Sequence, residues 1–212
     1  MTTARNNIVL TGLMGTGKST VGKRLAEKTN RTFVDIDAAI AAKHGPIEVI
    51  FAESGEEIFR QMEREAVAEV APLRDHVIAT GGGTMLDEDN VAALVGAQIV
   101  SLSAAPESIV ERVTADGLDK RPLLADADDP LAEVERLLDE RNDVYKRFTV
   151  VDTTGKSVDE VVDAIGDTGI DITMPVAEAR DSGASSSEKT LYAIITVLMI
   201  IALIVVILVL LF

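Results

Sequence analysis

Cysteine is absent from the 212 residues, and histidine occurs only at His44 and His76. The first absence excludes disulfides, thiolate zinc sites, iron–sulfur clusters and a nucleophilic thiol, and two isolated histidines cannot furnish a metal triad. Basic residues are scarce as well: 20 Lys and Arg face 35 Asp and Glu, leaving a formal net charge of −15. That balance argues against nucleic acid or an anionic membrane surface as a partner of the folded body, because such surfaces are themselves polyanionic. The length accommodates one mid-sized domain and a small addition, which excludes a large multidomain enzyme. The first apolar run, Ile8–Thr11, breaks at Gly12 after four residues, so no secretory signal is expected. No internal repeat is visible.

Long hydrophobic runs are missing everywhere except at the end of the chain. Residues 191–212 read LYAIITVLMIIALIVVILVLLF, without a charge and with Thr196 alone outside the apolar class. As a helix of about 1.5 Å per residue this run reaches about 33 Å, which matches a hydrocarbon core of about 30 Å. No second run could surround it as a buried core helix. The pattern predicts a single transmembrane helix over 191–212, with the folded body left at the cytoplasmic face of a membrane because nothing beyond residue 212 needs translocation. Residues 168–190 carry Pro175, Gly183 and Ser185-Ser186-Ser187 with no sustained period, the composition of a flexible linker. The folded domain is then 1–167, with an apolar share slightly below that usual for soluble domains.

Within that domain strand and helix patterns alternate. Short apolar runs at Ile8–Thr11, 32–35, 76–80, 98–102 and 148–151 read as buried strands. Helical spacing follows Lys18, covers 46–71 with an interruption at Ser54-Gly55, and recurs over 88–95, after Pro106, and from Pro130 to Tyr145. Residues 116–129 read as an acid-rich loop. Ser157 and Glu160 form a capping box for a last helix ending at Gly166. Repeated β–α units of this length predict a three-layer α/β/α fold with a parallel sheet covered on both faces.

Gly12-Leu13-Met14-Gly15-Thr16-Gly17-Lys18-Ser19 fits G-x-x-x-x-G-K-[ST] and lies between a predicted strand and a predicted helix. In such a loop successive backbone N–H groups turn inward on an anion, and the helix N-terminus adds partial positive charge. Lys18 reaches the β- and γ-phosphates, and Ser19 ligates Mg²⁺. ATP or GTP with Mg²⁺ is the expected ligand, held by Gly15, Thr16, Gly17, Lys18, Ser19 and Thr20. This makes the fold of the P-loop NTPase type, and it leaves kinase, GTPase, motor and regulator open.

Further motifs narrow that choice. Asp35-Ile36-Asp37 follows the second strand, Phe59-Arg60 is followed by Glu63, Gly81-Gly82-Gly83 follows the third strand, Arg121-Pro122-Leu123-Leu124 lies in the acid-rich loop, and Arg141 precedes Tyr145 by four positions. In this order and spacing the chain resembles the shikimate kinase family over roughly residues 7–165. The resemblance implies phosphorylation of the 3-hydroxyl of shikimate by ATP with Mg²⁺. It implies Lys18, Asp37 and Arg121 as catalytic residues, Asp37, Arg60, Gly81, Gly82, Gly83 and Arg141 at the acceptor, and Ser19 with Asp35 at the metal. Residue chemistry agrees: guanidinium forks suit a carboxylate, an aspartate accepts from hydroxyls, and Arg121 can close over phosphates and neutralise charge. Glu63, one turn from Arg60, would orient it. Arg112 is a second lid candidate, and Lys156 a candidate for adenine contact.

Taken singly, each residue has a plainer reading: Asp35 or Asp37 as an N-cap for a helix over 38–43, Arg60 as a surface partner of Glu63, the glycines as a tight turn, and Arg141 as surface charge. Two other functions compete with the main one. A kinase of another polyhydroxy acid such as gluconate would use the same arginines, and a membrane-tethered nucleotide-binding regulator would lack turnover. A monomer, with no nucleic-acid partner, is the expected state.

Overall fold

The computed structural model describes residues 6–118, 121–125 and 127–173. The span expected over 191–212 and most of the expected linker lie outside the described residues. Among the described residues no helix is long and apolar enough to cross a membrane.

Five strands, β1 (Ile8–Thr11), β2 (Thr32–Asp35), β3 (His76–Ala79), β4 (Gln98–Ser103) and β5 (Thr149–Asp152), form one sheet in the order β2-β3-β1-β4-β5. Every pairing is parallel. Such pairings need crossovers, and the helices supply them: α1 (Lys18–Thr29), α2 (Ile36–His44), α3 (Ile47–Val70), α4 (Glu88–Ala93), α5 (Pro106–Asp116), α6 (Pro122–Ala125), α7 (Pro130–Tyr145) and α8 (Val158–Asp167). All four residues of β1 are buried, because its side chains serve both faces in turn. Ile8 and Leu10 pack with α1 and α8, and Val9 packs with α2 and α3. A third cluster joins Leu13 of the loop after β1 to α5, α6 and α7 through Ile109, Leu124, Val134 and Leu137.

Local chemistry sets the element ends. Asp129 accepts from the Leu131 and Ala132 amides to cap α7, which opens with Pro130. The predicted capping box is formed: the Ser157 side chain accepts from the Glu160 amide, and Glu160 accepts from the Ser157 amide. The interruption read at Ser54-Gly55 is a kink in α3, with Gly55 at φ 81° and ψ 170°.

Two expectations are modified. The stretch 116–129 is not loop throughout, since α6 lies within it; a four-residue helix opened by proline is too short for periodicity to register. Residues 168–173, read as the start of the linker, are stitched to the domain. Ile170 and Ile172 pack on the α1–α8 core, the Asp171 amide donates to Gln98 Oε1 at 2.7 Å, and Arg31 Nη2 donates to the Asp171 carbonyl at 3.3 Å.

Register brings the strand ends level. Asp35 pairs with Ala79, Thr11 with Ser101, and Ser103 with Asp152. The loops after β1, β2 and β3 therefore leave the sheet along one edge. The crossover from β1 to β2 and the crossover from β3 to β4 run in opposite directions along the sheet, and parallel α/β sheets bind ligands in the crevice that such a divergence opens.

Candidate active site

The loop after β1 turns back over the strand ends because Gly12 adopts φ +128°, and a Cβ there would lie 2.1 Å from the Leu102 carbonyl oxygen. Only glycine permits that approach. Gly17, at φ 94°, starts α1 with no side-chain cap and no acidic residue in the first turn. The first amides of α1 are consequently free to face an anion. Thr16 is buried and donates to the Leu13 carbonyl at 2.7 Å, so its hydroxyl braces the loop. Lys18 Nζ donates to the Gly12 and Leu13 carbonyls, both at 2.9 Å.

A cleft of about 370 Å³ opens beside this loop. Its wall includes Gly15, Gly17, Lys18, Ser19, Thr20, Asp35, Asp37, Gly82 and Arg121, all expected from the sequence. Thr80, Arg112, Ala115, Asp116 and Met14 line it too. Arg112 was an open candidate; its guanidinium donates to the Gly15 carbonyl at 3.1 Å, to Thr153 Oγ1 at 3.0 Å and to the Thr153 carbonyl at 2.9 Å, tying the phosphate loop to the end of β5. Lys156 donates to the Asp152 carbonyl.

Asp35 is the N-cap of α2 and also contacts Ser19. Its Oδ1 accepts from the Ala38 amide at 3.1 Å and caps α2, while its Oδ2 accepts from Ser19 Oγ at 2.5 Å. A hydroxyl and a carboxylate in contact beside the phosphate loop form a hard-oxygen pair that fits Mg²⁺, which keeps several waters and uses few protein ligands. Among the described residues no cluster of three or more His, Cys, Asp or Glu offers another metal site.

Asp37, in the first turn of α2, turns Oδ1 into a sealed position where it has no hydrogen-bond partner. Desolvation pushes its carboxyl up to about 6, against the opposing pull of Lys18, with Asp35 and Glu63 adding to the rise. Desolvation likewise pushes Lys18 down to about 8, opposed by Asp37 and Asp35 and aided by Arg121 and Arg141. A buried carboxylate oxygen lacking a donor is unusual in a folded protein, and this one lies next to the phosphate-loop lysine.

Arg60, Arg141 and Glu63 gather on the glycine turn. Glu63 is 1% exposed; its Oε2 accepts from Arg60 Nη1 at 2.8 Å and its Oε1 from Thr84 Oγ1 at 2.5 Å. The other side of the Arg60 fork donates to the exposed Glu56. Arg141, 7% exposed, donates to the Gly82 carbonyl at 3.2 Å, and Tyr145 OH donates to the same oxygen at 2.6 Å. The glycines leave room for these side chains. A Cβ on Gly81 would lie 2.6 Å from Glu63 Oε1 and 2.7 Å from Asp37 Oδ1, and one on Gly83 would lie 2.6 Å from Arg60 Nη1. At Gly81 and Gly83 the close approach is by the protein's own charged groups.

Arg121 lines the cleft just before α6, with Nη2 3.7 Å from Asp116 and Nε buried without a partner. Thr84, Tyr145 and Thr153 were not among the expected site residues. The signals for the first two were present, a threonine directly after the glycine triplet and the tyrosine of R-x-x-x-Y, but a hydroxyl's partner is set by tertiary packing.

Comparison with known proteins bears on this arrangement. A family model described as shikimate kinase matches residues 14–168. A shikimate kinase of Caldanaerobacter subterraneus subsp. tengcongensis is 40% identical over 163 residues, covering 75% of this chain and 93% of the relative. One from Thermus thermophilus is 41% identical over 161 residues, covering 74% and 86%. Among solved structures, shikimate kinase from Acinetobacter baumannii in complex with shikimate aligns with a TM-score of 0.72 at 32% identity, covering 76% of this chain and 91% of that one.

Proposed function

The chain belongs to the shikimate kinase family, and we infer from that footing that it transfers the γ-phosphoryl group of ATP to the 3-hydroxyl of shikimate, giving shikimate 3-phosphate and ADP. The observation that carries the site assignment is Asp37 on the wall of the phosphate-loop cleft, with its partnerless Oδ1 buried beside the glycine turn that Arg60 and Arg141 contact.

The loop amides and the α1 N-terminus hold the nucleotide phosphates, and Lys18 exchanges its two carbonyl partners for phosphate oxygens. Ser19 and Asp35 would hold Mg²⁺, which supplies charge neutralisation on the phosphates when bound. Arg60 and Arg141 take the acceptor carboxylate. At Arg60 that carboxylate replaces Glu56, an exposed i,i+4 pair whose loss costs less than about 1 kcal/mol. Buried Glu63 keeps the remaining N–H direction fixed. Asp37 accepts from the acceptor hydroxyl and aims its oxygen at the phosphorus. A loose phosphoryl-transfer transition state needs little base catalysis, so alignment is the main contribution of Asp37. Arg121 swings from Asp116 onto the phosphates as negative charge redistributes.

Two substitutions separate these roles. Lys18→Ala is expected to lower kcat by about 10²-fold or more with acceptor binding retained, whereas Arg60→Ala is expected mainly to raise the acceptor KM. Unchanged shikimate kinetics in Arg60→Ala would remove the carboxylate assignment. The family match ends at residue 168, and the anchor is a separate proposal supported by the uncharged run 191–212. It holds the kinase at the cytoplasmic face of a membrane. Deleting 191–212 should release active enzyme from the membrane fraction, and persistence there would refute a lone C-terminal anchor.

A further inference from the structure

The acceptor arginines come from two helices far apart in sequence, α3 and α7, yet both rest on the same four-residue stretch, 81–84. Arg60 lies against Gly83, and Arg141 donates to Gly82. Their separation is therefore only as fixed as that turn. Two hydroxyls hold it, one from each side. Thr84 Oγ1 donates to Glu63 Oε1 at 2.5 Å and lies 3.1 Å from the Gly81 carbonyl. It has one proton, and the shorter bond to a carboxylate takes it. The Thr84 carbonyl accepts in turn from Asn90 Nδ2 at 2.9 Å, and Thr84 and Asn90 are both buried. On the α7 side Tyr145 OH donates to the Gly82 carbonyl at 2.6 Å, shorter than the Arg141 bond to the same oxygen. Burial pushes the Tyr145 phenol up, opposed by Arg141 and Arg60, so it stays a donor across the working pH range.

We propose that Thr84 and Tyr145 are positioning residues for acceptor binding: the two hydroxyls clamp the glycine turn to α3 and α7, and thereby set the spacing and aim of Arg60 and Arg141, without touching the acceptor. Thr84 acts through Glu63, which shares its carboxylate between that hydroxyl and Arg60. Tyr145 acts through the Gly82 carbonyl, which anchors Arg141 by one nitrogen and leaves its other donors for the ligand. The phosphate loop is braced independently by Thr16, Arg112 and Thr153, so loosening the turn leaves nucleotide binding alone. The proposal rests on the shikimate kinase reading.

The test uses the full-length chain, with Thr84→Val, Thr84→Ser and Tyr145→Phe, and measures KM for shikimate, KM for ATP, kcat and the calorimetric dissociation constant of shikimate alone. Thr84→Val keeps shape and removes the donor. Losing a hydrogen bond to a buried charge corresponds to about tenfold in affinity, so the shikimate KM and dissociation constant should each rise roughly tenfold. ATP KM should hold, and kcat should change by less than about threefold. Thr84→Ser should return the shikimate KM to within about twofold of wild type. Tyr145→Phe should raise the shikimate KM several-fold, and it carries the test alone if Thr84→Val does not fold. Unchanged shikimate constants, equal rises in both KM values, or failure of serine to rescue would each overturn the proposal. Wild-type protein that ignores shikimate would instead overturn the functional assignment itself.

Discussion

Gly81→Ala probes the site at its most crowded point. The new methyl would stand 2.6 Å from Glu63 Oε1, 2.7 Å from Asp37 Oδ1 and 3.0 Å from Thr84 Oγ1, where ordinary contact begins at 3.4 Å. The carboxylate oxygens must therefore retreat by about 0.7–0.8 Å or the turn must move by as much. Neither carboxylate yields freely: Glu63 is tied to Arg60 and Thr84, and Asp37 sits in the first turn of a helix capped by Asp35. Overpacking of this kind costs about 1–3 kcal/mol. At about 2–4 °C per kcal/mol for a domain of this size, the melting temperature should fall by roughly 2–12 °C. A displacement near 1 Å at a reacting centre costs about 10²-fold in rate. Acceptor kcat/KM should fall by about that factor, while ATP affinity, governed by the separate loop after β1, stays within about twofold. Coupled ADP release with shikimate varied at saturating ATP, a nucleotide titration and a thermal melt measure all three. Wild-type kcat/KM with an unchanged melt would refute the crowding argument, and equal loss of ATP affinity would refute the separation of the two half-sites.

Three further outcomes follow from the structure. With Asp37 held up at about 6 and Lys18 down at about 8, kcat/KM should follow a bell whose limbs belong to this coupled pair. Activity falls below about pH 6 as Asp37 gains a proton and loses the charge with which it accepts from the acceptor hydroxyl, and falls above about pH 8 as Lys18 loses its charge; Asp37→Asn should abolish the acidic limb. Raised Asp37 binds its proton more tightly folded than unfolded, so its contribution to stability diminishes as pH rises through about 6, which urea titrations at pH 5 and pH 7 can read. A chain cut after Asp167 should be less stable than one cut after Thr173 by about 2–3 kcal/mol, because it loses the packing of Ile170 and Ile172 and strands Gln98 and Arg31; equal urea midpoints would show that 168–173 contributes nothing.

Much of this arrangement was legible from the residue order, and the reasons differ by element. Glycines with a lysine between strand and helix carry their own mechanism, so the phosphate loop could be read directly, as could the Ser157–Glu160 box and the Gly55 break. Sheet order could not. Placing β1 between β3 and β4 depends on pairings between distant segments, which local pattern does not encode. Glu63 illustrates the limit for the site. At i,i+3 from Arg60 it reads equally as a surface partner, and only its burial beneath the glycine turn makes it a structural charge. Arg112 was ambiguous for a similar reason, since its partners Gly15 and Thr153 lie 97 and 41 positions away. Asp35 shows that a helix cap can leave half of its carboxylate for another partner: one oxygen caps α2 while the other meets Ser19.

The central claim is that Asp37 and the two arginines select a small hydroxylated carboxylate and present its hydroxyl to a nucleotide in the adjoining cleft. ADP release across a panel of acceptors, with the phosphorylated position of each product assigned by NMR, addresses it most directly. Shikimate should exceed gluconate and other polyhydroxy acids by about 10²-fold or more in kcat/KM, with phosphate on the 3-hydroxyl. Gluconate turned over as well as shikimate, or nucleotide bound without turnover of any acceptor, would contradict it.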